Sequence, residues 1–214
     1  MLCLQAHEIS HGLGYPVANQ DINMANQQVY LIRHGETEWS LTGQHTGITD
    51  LPLTENGRTL AKRLEPILAK QKFVMVLTSP LKRARDTCEL SGLGAAAQVD
   101  DDLVEWNYGE YEGLTSRAIR EKAPGWLLFE HGCPGGETPE QVGERADRII
   151  ARARGQRGNT ALFAHGHLLR VVAARWLGFA AGGGRHFLLD TGTLNILSYY
   201  QGIPAIQEWN RAIE

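Results

Sequence analysis

Three cysteines, Cys3, Cys88 and Cys133, are all that the 214 residues contain, and they stand far apart. An odd, dispersed set argues against a disulfide framework or a closely spaced zinc site and fits reduced thiols in a cytoplasmic protein. An excess of positive charge is also missing, with 21 Lys and Arg against 24 Asp and Glu and a formal net charge of −3. Nucleic acid is therefore not expected as a partner, since duplex binding needs a strongly basic face. No apolar run approaches the roughly 20 residues that span a bilayer, so no membrane partner is expected. Internal repeats and low-complexity linkers are absent. At 43% hydrophobic residues the composition is ordinary for a globular chain, and the length suits one α/β domain.

Residues 1–27 are polar and lack a helical or strand period. They read as an N-terminal appendage, with a second methionine, Met24, before the first strand. His7 and His11 lie four apart there, without the helix signals that would make them ligands. The domain is expected over 28–214. Val29 to Ile32, Phe73 to Leu77, Asn159 to Ala164 and Leu194 to Tyr200 are short apolar strands, the last closing the set. Continuous apolar runs are what a parallel sheet buries on both faces. Helices are predicted from Thr54 to about Lys70, with Pro66 kinking or dividing it, from 81 to about 91, and from His167 or Leu168 to Leu177. Thr138-Pro139-Glu140-Gln141 is a capping box opening a helix to about Arg154. Ala181 to Gly184 reads as a flexible loop. Strands alternating with helices imply a three-layer α/β/α sandwich with a mostly parallel central sheet.

The chemistry concentrates where strands end. Arg33-His34-Gly35 follows the first strand, and ligands of open α/β sheets bind at such carboxyl ends. Arg offers a planar fork to phosphate oxygens, and His a nitrogen able to act as base or nucleophile near neutral pH. One strand-end histidine is ordinarily a packed residue. A second site of the same design, Ala164-His165-Gly166-His167, is hard to explain by packing. Thr78-Ser79-Pro80 leads into a helix carrying Lys82, Arg83 and Arg85. A hydroxyl, a helix start and a cation one turn in make a phosphate pocket, with Arg83 the inward cation. Glu105 lies among Trp106 and Tyr108, surroundings that suit a carboxyl to donate a proton. His167 is read as a supporting or surface residue.

These residues resemble the histidine phosphatase superfamily, which includes the cofactor-dependent phosphoglycerate mutases. The likeness runs from about Gln28 to Tyr200. It rests on Arg33-His34-Gly35-Glu36, on Thr46-Gly47 with Asp50, Leu53 and Gly57, and on Ser79-Pro80 with Arg83-Ala84 and Thr87. Glu105 with Gly109 and Glu112-Gly113, and then Ala164-His165-Gly166, complete it. The resemblance implies that His34 accepts the phosphoryl group as a phosphohistidine. Arg33, Arg83 and His165 would hold its oxygens, and Glu105 would protonate the leaving alkoxide. It implies no metal and no cofactor, since two guanidiniums and a protonated imidazole can stabilise the transferring group.

Mutase and phosphatase share these residues. Mutases carry a long basic insertion between the acid and the second histidine. Here Glu105 and His165 are 60 positions apart (165 − 105), and the segment from Arg117 to Cys133 lacks paired arginines. Less cover admits water and favours hydrolysis of a small phosphorylated metabolite. Glu38-Trp39-Ser40, Gly43-Gln44-His45-Thr46-Gly47, Asp100 to Leu103, Gly132-Cys133 and Gly136-Glu137-Thr138 resemble the sedoheptulose-1,7-bisphosphatase branch. That likeness makes Gln44, Thr46, Tyr108 and Arg170 candidates for gripping a sugar phosphate, with Gly47 and Gly166 beside them. The long insertion of that branch before Phe187-Leu188-Leu189-Asp190 is replaced by a short Gly-rich stretch, so bisphosphate specificity stays open.

Other classes fit less well. Asp100-x-Asp102-x-Val104 formally matches a magnesium-phosphatase nucleophile motif, but the preceding segment is a poor strand and a solvated acidic turn is the better reading. No Cys has Arg at the offset of a cysteine phosphatase, and no Gly-x-Ser-x-Gly elbow occurs. A phospho-ligand-binding protein without catalysis needs no acid, which Glu105 would supply. Trp126 and Leu127 to Phe129 fit either a pocket mouth or a contact within a homo-oligomer.

Overall fold

The computed structural model describes residues 27–213. The reading of residues 1–26, His7, His11 and Cys3 included, lies outside the described residues. Gln27 is already tied into the domain, where its buried side-chain amide donates to the carbonyls of Ala153 at 2.7 Å and Gln156 at 3.0 Å.

Thirteen elements follow in order, with short 3-10 turns between them: β1 (Val29–Arg33), α1 (Glu38–Thr42), α2 (Glu55–Leu68), β2 (Phe73–Thr78), α3 (Lys82–Leu90), β3 (Ala97–Val99), α4 (Ser116–Lys122), α5 (Leu128–His131), α6 (Pro139–Arg154), β4 (Asn159–Ala164), α7 (Gly166–Trp176), β5 (Leu194–Tyr200) and β6 (Ile203–Arg211). The six strands form one sheet in the order β3-β2-β4-β1-β5-β6. The first four in that row pair in parallel, and β5 and β6 add antiparallel neighbours.

Side chains alternate across β1, and each face meets its own core. Val29 and Leu31 pack with the residues of α6 and α7, whereas Tyr30 and Ile32 pack with Leu64, Leu68 and Cys88 from α2 and α3. This is the expected three-layer sandwich. The connection leaving β1 runs over one face and that leaving β4 over the other. The crevice between these neighbouring strands is the switch point where open α/β sheets take ligands.

Local expectations were met unevenly. Pro66 does not divide α2, which runs unbroken to Leu68. It sits in the last turn, where its missing N–H leaves only the exposed Lys62 carbonyl unpaired within the helix. The stretch from Ala181 to His186 is a 3-10 helix and not a flexible loop, with Gly184 buried against Phe129 and Arg170. β6 escaped notice because its half-exposed residues, with Pro204, Gln207 and Glu208 among them, carry no apolar run. The acidic turn is paired and not merely solvated, since Asp100 meets Arg152 and Asp102 meets Arg148 at 2.6 Å. Cys88 and Cys133 are buried free thiols. Among the described residues no helix is long and apolar enough to cross a membrane.

Candidate active site

β1 and β4 end side by side, with Arg33 in register with Ala164 and the His34 N–H donating to the Ala164 carbonyl at 3.0 Å. Their next residues, His34 and His165, are thereby neighbours, with ring centroids 5.2 Å apart. The turn after His34 is held close to α2. A Cβ on Gly35 would lie 2.4 Å from the Gly57 carbonyl oxygen, so only glycine fits. Glu36 completes that lock, accepting from Thr54 Oγ1 at 2.6 Å and Asn56 Nδ2 at 2.9 Å at the start of α2, an end that favours negative charge.

His34 is prepared electronically as well as sterically. Its Nδ1–H donates to its neighbour's carbonyl, Gly35 O, at 2.7 Å. A carbonyl only accepts, so the proton is on Nδ1 and Nε2 carries the lone pair. Burial, then the Arg83 and Arg33 guanidiniums, holds this imidazole well below its ordinary pKa and keeps it neutral. Arg33 donates to the Leu189 carbonyl through one terminal nitrogen, while its Nε is buried without a partner among the described residues. Such an orphaned donor costs about 1–3 kcal/mol, and an anion arriving beside it would recover that cost.

Behind His34 lies a sealed second layer. Arg83 is fully buried and donates to the carbonyls of Thr49 at 2.9 Å, Thr46 at 3.0 Å and Gly47 at 2.8 Å. Its Nε donates to His165 Nδ1 at 3.2 Å, so His165 carries its proton on Nε2, which reaches Ser79 Oγ at 2.7 Å. Burial and Arg83 lower the His165 pKa, so this imidazole is neutral and not the protonated one expected. Glu112 supports the carbonyl loop from outside, accepting from Gly47 N at 2.9 Å and Thr49 N at 3.0 Å. A Cβ on Gly47 would stand 2.5 Å from that carboxylate. Lys82 and Arg85 face solvent.

Glu105 is buried and occupies the N-terminus of α7. Oε1 accepts from Trp106 N at 2.9 Å and Leu168 N at 2.9 Å, and Oε2 from His167 N at 3.0 Å. Aromatic neighbours are present, yet the groups touching the carboxylate are backbone N–H donors. The loop bearing it is braced by Arg145, whose guanidinium reaches Glu137 at 2.7 Å and the carbonyls of Asp102 at 2.7 Å and Val104 at 3.0 Å.

A pocket of about 260 Å³ opens in front, and Arg33, His34, Glu105 and Gly166 form its floor. Gln44, Thr46, Tyr108 and Arg170 line it too, but several are engaged. Gln44 Nε2 donates to Gly113 O at 2.8 Å, and Arg170 donates to Gly184 O at 3.1 Å while stacking on Phe129. Gly47, Arg83 and His165 are not on the pocket wall. Six wall residues were not among the expected site residues: Ser40, Gly43, His45, Ser116, His167 and Leu189. The only early signal for His167 was its place two residues beyond His165. No group of His, Cys, Asp and Glu that could hold a metal occurs among the described residues.

The sequence profile of the histidine phosphatase superfamily (branch 1) matches residues 29–212. An acid phosphatase of Mycobacterium tuberculosis is 40% identical over 186 residues, covering 85% of this chain and 91% of that protein. The sedoheptulose 1,7-bisphosphatase of Saccharomyces cerevisiae is 39% identical over 180 residues, 69% of this chain and 66% of that protein. Among solved structures, an open-reading-frame product of Mycobacterium tuberculosis superposes with a TM-score of 0.85 at 37% identity, covering 88% of this chain and all of that one.

Proposed function

This chain belongs to the histidine phosphatase superfamily, and on that premise we propose that it hydrolyses small phosphate monoesters, sugar phosphates among them, through a phosphohistidine on His34. The observation that carries the reading is the His34 ring itself, a neutral imidazole whose proton is fixed on Nδ1 by Gly35 O. In the first step the His34 Nε2 lone pair attacks phosphorus, an N–P bond forms and the ester P–O bond breaks. Glu105 Oε2, which accepts one backbone bond where Oε1 accepts two, passes a proton to the leaving alkoxide. In the second step water attacks the phosphohistidine, Glu105 takes its proton, and inorganic phosphate departs with the N–P electrons returned to Nε2. Dividing one hydrolysis into two displacements is the gain of covalent catalysis.

Arg33 is the cation placed to meet the phosphoryl oxygens directly. Arg83 and His165 contribute from behind, Arg83 as a fixed positive charge and His165 as a spacer that sets the tilt of His34. The sugar preference draws on relatives named sedoheptulose 1,7-bisphosphatase and glucosyl-3-phosphoglycerate phosphatase. These roles need no metal. The chain is assayed with chelator present, using phenyl phosphate labelled in the phosphoryl group and quenched within milliseconds in alkaline detergent. We expect phosphate release and an acid-labile label on wild-type protein, both lost in His34→Ala. Label retained by His34→Ala, or turnover abolished by chelator, would overturn the reading. With 3-phosphoglycerate, isomerisation faster than phosphate release would favour a mutase instead.

A further inference from the structure

Two imidazoles that the proposed chemistry does not use stand in the outer pocket. His45 and His167 lie parallel, with centroids 5.8 Å apart and 12° between their planes. Each has one ring nitrogen fixed by the protein and one without a partner. His45 Nδ1–H donates to the Leu114 carbonyl at 2.7 Å, so its Nε2 is a lone pair. His167 Nδ1 meets the Tyr108 hydroxyl at 2.5 Å. That hydroxyl is buried and has no other partner among the described residues. Donation of its proton to Nδ1 is the arrangement that leaves no donor without a partner, and it puts the imidazole proton on Nε2. Burial keeps both rings neutral and the phenol protonated. Phe129, with its centroid 5.5 Å from His167, closes the cage and fixes the ring's orientation.

The pocket wall thus carries an acceptor and a donor on adjacent stacked rings, with the free hydroxyl of Ser116 nearby. A carboxylate or a fully ionised second phosphate has no proton for His45 Nε2. A hydrocarbon satisfies neither ring. A hydroxyl both donates and accepts, and neighbouring hydroxyls do so at the spacing of a carbon chain. The geometry points to His45 and His167 as the specificity-determining pair that reads hydroxyls on the leaving group, selecting phosphate esters of polyhydroxy alcohols, with Tyr108 positioning His167. This rests on the phosphohistidine reading and extends it to the outer half of the same site.

The test compares erythritol 4-phosphate with n-butyl phosphate. Both have four carbons and a primary alkoxide leaving group, and they differ only in hydroxyls. Wild type should favour the erythritol ester in kcat/KM. His167→Leu should reduce that preference about tenfold, the worth of one neutral hydrogen bond, chiefly through KM. His167→Gln, which keeps an N–H near the Nε2 position, should reduce it less than Leu does. Tyr108→Phe, a mild change that frees the imidazole tautomer, should fall between them and keeps the test open if His167→Leu does not fold. A wild type without preference, or a preference unchanged in all three variants, overturns the inference while label on His34 from phenyl phosphate leaves the chemistry standing. Wild type that turns over none of the three esters fells both.

Discussion

At the residue scale, one proton decides what His34 can do. Gly35 O takes the Nδ1 proton, and burial with two guanidiniums keeps a second proton off. In the proposed reaction nucleophile and cations thus support each other, because the charges that suit a phosphoryl group also keep the imidazole unprotonated. Glu105 is built otherwise. Three backbone N–H groups hold it at the start of α7, so its position is as rigid as the helix. Replacement by alanine removes both the proposed proton donor and the carboxylate that caps α7. We expect Glu105→Ala to slow hydrolysis at least 100-fold for alkyl phosphates and much less for p-nitrophenyl phosphate, whose leaving group needs no proton. Steady-state rates across a series of leaving groups check this, and an equal loss along the series would remove the acid role.

At the element scale, the site depends on how closely β1's exit loop meets α2. Gly35 and Gly57 permit that approach, for a Cβ on Gly57 would sit 2.2 Å from the Glu36 carbonyl oxygen. Backbone cannot yield as a flexible side chain can. Gly57→Ala should therefore cost about 1–3 kcal/mol of stability by overpacking and lower kcat by displacing His34. Urea unfolding monitored by tryptophan fluorescence checks the first effect and phosphatase assays the second. Gly178→Ala, at a turn with nothing within 4 Å of the added Cβ and away from the pocket, is the control that feels only the unfavourable backbone angle. The arginine face of α6 does comparable work for the acid's loop. Arg145, Arg148 and Arg152 hold Glu137, Asp102 and Asp100 in turn. Spaced three and four apart on one helix, they were visible in the sequence, but their acidic partners were not.

At the scale of the whole molecule, buried neutral imidazoles link folding to pH. His34, His165 and His167 all have folded pKa values held well below the ordinary one, by burial first. The unfolded chain binds protons there that the folded chain refuses. Stability should thus be full above about pH 6.5 and fall as pH drops below it. Thermal melts from pH 7.5 to 5 should show Tm declining, with His167→Leu flattening the slope. A Tm independent of pH across that range would mean the imidazoles titrate normally in the folded protein.

What the sequence determined by itself was chemistry strung along a chain. The apolar strands, the capping box at Thr138 and the strand-end Arg33-His34-Gly35 and His165-Gly166 blocks were all legible, because each is a local pattern of residue types. β6 and the 3-10 helix at Ala181–His186 were not, since neither has an apolar periodicity of its own: β6 is held by pairing with β5, and the 3-10 helix by packing on α7 and Phe129. Tertiary structure alone decided which nitrogen of His45, His165 and His167 carries the proton. It put Arg83 behind His34 and not beside the pocket, and it turned His167 from a supporting residue into a wall of the site. The physical reason is that a proton's location depends on what lies within 3 Å of it. In this fold those neighbours, Leu114 for His45, Tyr108 for His167 and Arg83 for His165, come from remote parts of the chain.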